Sequence, residues 1–84
     1  MQPEEIKRLI ESGIPGSTAQ VTGPDGTHFE ALIISGQFAG KNMVQQHQLV
    51  YRALGELMGR EIHALSMQTL TPEQWQQCAA GRTS

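Results

Sequence analysis

A single cysteine, Cys78, leaves the chain without an internal disulfide and without the paired thiolates of a zinc finger. That usage fits a reducing compartment. Aromatic residues are scarce as well, with one Trp, one Tyr and two Phe, so the core is expected to be largely aliphatic. Six Lys and Arg stand against eight Asp and Glu, for a formal net charge of -2. This excludes a surface that attracts polyanions over its whole extent and leaves room only for a local basic patch. No apolar run approaches the length needed to span a bilayer, and the opening MQPEEIKRLI, with two glutamates and no apolar run, does not read as a secretory signal. A cytoplasmic location is the expectation. No Gly-x-Ser-x-Gly elbow surrounds Ser35 or Ser66, and no nucleophile stands beside a base, so an enzyme is not expected.

The 84 residues suffice for one domain with one core. An ordered part of about 3–78 and a frayed tail of about 79–84 are expected. Pro3 to Ser12 begins with a proline and two acids, spaces Ile6, Leu9 and Ile10 on one side, and stops near Gly13 as a short amphipathic helix. Ala19 and Val21 alternate with polar neighbours, GPDG supplies a turn, and THFEALIIS resumes as a second strand. After the Gly-broken SGQFAGKN, residues Met43, Val44, His47, Val50, Tyr51, Leu54, Leu57 and Met58 recur at helical spacing and predict one apolar stripe. EIHALSMQTL reads as a third strand. Thr71, Pro72 and Gln74 then form a capping box opening a last helix through Cys78.

The order is α-β-β-α(α)-β-α, an α+β fold with a three-stranded mixed sheet and helices on one face. The helical connection between the second and third strands makes these parallel neighbours. Their first residues then lie at one end of the sheet, where His28 and His63 open the two strands. Either histidine reads as a strand-end residue bonded to backbone or solvent, or as a neutral imidazole ligand for a borderline metal. Asp25 in the turn is an oxygen donor better suited to hard cations. His47, on the helical stripe, reads as a packed core residue, and Cys78 as a partly buried apolar residue near Trp75. GPDG fits Gly-x-x-Gly, but it joins two strands and carries an acid that repels phosphate, so it is not read as a nucleic-acid-binding loop.

FAGK entering the long helix, QHQLVY within it and IHALSMQTLTPEQW after it resemble the BolA family, over a span from about Ile6 to Trp75. The GPDGTHF hairpin is especially similar to the small bacterial BolA-like proteins of the IbaG or YrbA type. The resemblance implies a fold like that of class II KH domains. It also implies partnership with monothiol glutaredoxins of the CGFS class through a shared [2Fe-2S] cluster, with none held by the isolated chain. His63, in IHAL, matches the family's iron ligand. The family's second ligand is a His or Cys of the hairpin; aligned on Phe29, the cysteine of some relatives falls at Asp25, and His28 is the nearest substitute. The alternative implied by the resemblance is a DNA-binding transcriptional regulator. Relatives often carry Lys-Arg-His-Arg where this chain has VQQHQ, which leaves Lys41 and Arg52 for weak DNA contact. Self-association is a further partner expectation; a membrane is not.

Overall fold

The computed structural model describes residues 2–23, 28–58, 62 and 64–82. Its elements are α1 (Pro3–Gly13), β1 (Thr18–Thr22), β2 (His28–Ile34), α2 (Met43–Leu54), β3 (Ala64–Leu70) and α3 (Pro72–Arg82), with single 3₁₀ turns at Gly36–Phe38 and Gly55–Leu57. Pro3 opens α1 with a preset φ, and Glu4 and Glu5 lie where the helix dipole favours negative charge. Ile6 and Ile10, one helical turn apart, are fully buried. The Ile14 amide closes the helix on the Ile10 carbonyl, and the Ile14 side chain joins them in the core.

The sheet has the order β1-β2-β3. β1 and β2 are antiparallel, pairing Ala19 with Ile33 and Val21 with Ala31. β2 and β3 are parallel, running from His28 opposite Ala64 to Ile34 opposite Leu70. Two-residue periodicity sends Ala19, Phe29, Ala31, Ile33 and Thr69 to the inner face, all buried. α1 packs on β1 and α2, and α2 reaches β3. The opposite face carries Gln20, Thr22, Glu30, Ser66 and Gln68, all exposed. No helix among the described residues is long and apolar enough to cross a membrane.

The expected element order and parallel crossover are both observed, with four departures in detail. The inner face of α2 is Gln46, Val50 and Leu54, backed by half-buried Leu49 and Ala53; Met43, Val44 and Tyr51 of the expected stripe are exposed instead. The apolar pattern misplaced this face by about one residue because a buried glutamine occupies a core position. Phe38, in a connection that reads as polar, is only 1% exposed, and with Phe29 it brings both phenylalanines into the core. Ile62, expected within the third strand, makes an isolated bridge with Met58 ahead of β3. α3 runs on to Arg82, beyond the expected stop at Cys78.

α1 and α2 approach closely at Gly13. A Cβ placed there would lie 2.5 Å from Ala53 Cβ and 2.8 Å from Ala53 Cα. The contact is with backbone, so it cannot be relieved by a rotamer change. Gly13→Ala is therefore expected to lower stability by about 1–3 kcal/mol through overpacking, reversing the usual gain of helical Gly→Ala. Urea unfolding checks this, and an unchanged or raised midpoint contradicts the close approach.

Candidate functional site

The parallel register builds one end of the sheet into a mouth where β2 and β3 both begin. His28 is the first residue of β2, exposed, and its Cα partner across the ladder is Ala64, which follows His63 in the chain. Adjacent strands are spaced by about 4.8 Å, so a side chain at the start of β2 is within reach of groups at the start of β3. His63 and Asp25 both lie outside the described residues. Among the described residues, no three His, Cys, Asp or Glu side chains converge as a metal-binding group.

His47 takes an intermediate position. It is half-buried on α2, and its Nε2 is buried with no hydrogen-bond partner among the described residues. Cys78 is exposed on α3, not partly buried as the sequence suggested, and Gln74, Gln76 and Gln77 of the same helix are exposed too.

The two candidate cations sit at opposite ends of α2. Lys41 precedes the helix and is exposed, while Arg52 lies in its last turn, so about 15 Å of helix separates them. Between Lys41 and the first turn stands a capping box that the sequence reading missed. The Gln45 amide donates to Asn42 Oδ1 at 2.9 Å, and the Asn42 amide donates to Gln45 Oε1 at 3.1 Å. The signal was present as Asn-x-x-Gln. Two amides that an anion at the helix start would use are thereby occupied. The exposed apolar side chains Met43, Val44 and Tyr51 share this helix.

Gln46 is a buried polar group with three side-chain hydrogen bonds. Its Nε2 donates to Phe38 O at 3.2 Å and to Lys41 O at 2.9 Å, and its Oε1 accepts from Thr69 Oγ1 at 2.6 Å. One buried amide thus ties the FAGK loop, α2 and β3 together. It holds the loop's carbonyls inward while Gly40, at φ +75, turns the chain with no Cβ to strain.

The profile of the BolA-like protein family matches residues 6–74. The chain belongs to the BolA family. It is 37% identical over 81 residues to human BolA-like protein 1, an alignment that takes in 92% of this chain and 53% of that protein. The chain spans about half the length of such mammalian relatives. A *Vibrio cholerae* relative, the DNA-binding transcriptional regulator BolA, is 36% identical over 76 residues, covering 90% of this chain and 68% of the relative. Among solved structures, a BolA protein homologue from *Coxiella burnetii* superposes with a TM-score of 0.82 at 40% identity, over 90% of this chain and 97% of that one. The mixed three-stranded sheet with its helices is the BolA fold.

The Gln46 network makes a double-mutant prediction. Gln46→Leu strands the Lys41 carbonyl and leaves the Thr69 hydroxyl only the Met43 sulfur at 3.7 Å, while the Phe38 carbonyl keeps the Lys41 amide at 3.2 Å. The variant is expected to cost about 1–3 kcal/mol. Adding Thr69→Val removes that hydroxyl, so the double variant should lose less than the sum of the singles. Urea unfolding of all four proteins measures the coupling. Strict additivity contradicts a shared network.

Proposed function

We propose that this BolA-family chain is a non-enzymatic partner of a monothiol CGFS glutaredoxin, sharing a [2Fe-2S] cluster with it in cytoplasmic iron–sulfur trafficking or iron and redox sensing. The observation that carries the reading is the β2–β3 register, which sets His28 opposite Ala64, the neighbour of His63 in the chain. His63 and His28 are the residues of this chain that would hold the cluster. Neutral imidazole suits iron, and it leaves the centre less negative than a thiolate does. The glutaredoxin active-site thiolate and a glutathione thiolate complete four ligands, a mixed set reminiscent of Rieske centres. Exposure of His28 at a strand end lets a partner approach without opening the core.

A nucleic-acid reading has one observation in its favour, the likeness to the *Vibrio cholerae* regulator. The surface of α2 argues for weak contact only. Its cations are a helix length apart, glutamines stand between them, and the capping box takes two of the first amides. Phosphate contacts so few are expected to be lost to modest salt.

The test is the visible spectrum of the chain co-purified with glutaredoxin and glutathione, for the wild type, His63→Ala and His28→Ala. Wild type alone should be colourless, and colour should appear with the partner. His63→Ala should alter the spectrum and speed cluster loss while the melting temperature of the isolated variant stays within a few degrees of wild type. His28→Ala should do the same if it supplies the second ligand. An unchanged spectrum and cluster lifetime in His63→Ala rejects the ligand assignment, and a nanomolar, sequence-specific DNA complex at physiological salt favours the regulator.

A further inference from the structure

The two edges of the sheet are treated differently. At the β1 edge, the Ala19 amide donates to Glu11 Oε2 at 3.0 Å, so a carboxylate from α1 occupies a backbone donor that a foreign strand would need. At the other edge lies β3, seven residues of sequence ALSMQTL, with no charge, no proline and no glycine. Charges and prolines are the usual protection of an exposed edge, and β3 carries neither. Its outward side chains Ser66 and Gln68 are exposed, and inward Leu65 and Met67 are only half-buried against the core.

We infer that the β3 edge is a self-association surface, on which a second copy of this chain pairs its own β3 antiparallel about a two-fold axis. A two-fold edge pairing brings each residue opposite one of the same strand, so a charged strand would confront its own charges; β3 has none. Centring the axis on Met67, the middle residue, pairs all seven positions. Met67 then faces its own copy, Leu65 faces Thr69 of the second copy, and Ser66 faces Gln68 on the open side. The Met67 pair extends the apolar inner cover, and the two symmetric Ser66–Gln68 pairs are hydrogen-bonding and face water. The sheet becomes six-stranded, ordered β1-β2-β3-β3-β2-β1, with Glu11 shielding both outer edges. The His28 ends fall at opposite ends of the paired strands, about 23 Å apart along them, so each copy keeps its own mouth. One strand pair buries little surface, and the dimer is correspondingly weak.

Sedimentation velocity of the full chain over a concentration series tests this, with circular dichroism confirming that each variant is folded. Wild type should show reversible dimerisation at submillimolar concentration. Ser66→Lys with Gln68→Lys sets lysines opposite each other at both symmetric pairs and should weaken the dimer about tenfold. This change takes the formal charge from -2 to neutral, so overall repulsion alone would act the other way. Ser66→Lys with Gln68→Glu keeps the charge at -2, sets Lys opposite Glu, and should tighten the dimer several-fold. A wild type that is monomeric throughout, or a dimer that responds alike to both charge patterns, overturns the inference.

Discussion

Parallel pairing of β2 with β3 is the constraint on which the rest of this structure depends. Parallel strands cannot be joined by a tight turn, so the chain must leave the sheet at Ile34 and return at Ala64, and α2 makes the crossing. The crossing places both strand starts at one end of the sheet and so forms the mouth at His28. It leaves β3 on an edge. It also requires α2 to be fixed against β3, and the Gln46 amide, bonded to two loop carbonyls and to Thr69, performs that task in the core. A polar anchor gives α2 a particular rotation, which apolar contact alone specifies less sharply.

That rotation explains which parts of the sequence were misleading. Local signals sufficed for α1, the hairpin strands and the Thr71 capping box, where the Thr71 amide bonds Gln74 Oε1 at 2.9 Å and the Gln74 amide bonds Thr71 Oγ1 at 3.2 Å. The parallel topology followed from the length of the connection. The facing of α2 did not, because hydrophobic periodicity counts Met43, Val44 and Tyr51 as core and Gln46 as surface, whereas hydrogen bonds across a span of 23 residues reverse that order. Phe38 was hidden for a similar reason: one large apolar residue in a short segment between glycines has no period. At the candidate site, the parallel crossover located the His28 end, but the chemistry assigned to His63 came from family resemblance.

The surface of α2 is the clearest product of this arrangement. With Gln46 turned inward, Met43, Val44 and Tyr51 turn out, beside Lys41 and Arg52 at the two ends. The helix surface is thus mixed, apolar along its length and positive only at its ends. A uniform phosphate-binding track would need cations between them, where this chain has Gln45 and Gln48. The proposed function is accordingly placed at the strand mouth and not on α2.

The proposed function requires that histidine nitrogen from this chain be bound to iron in the shared cluster. Pulsed electron paramagnetic resonance of the reduced complex, with this chain alone carrying ¹⁵N-labelled histidine and the glutaredoxin unlabelled, measures that bond directly. Strong hyperfine coupling to ¹⁵N is expected, and it should be absent when the label is placed only in the glutaredoxin. A cluster whose nitrogen couplings do not change on labelling this chain would contradict the proposed function.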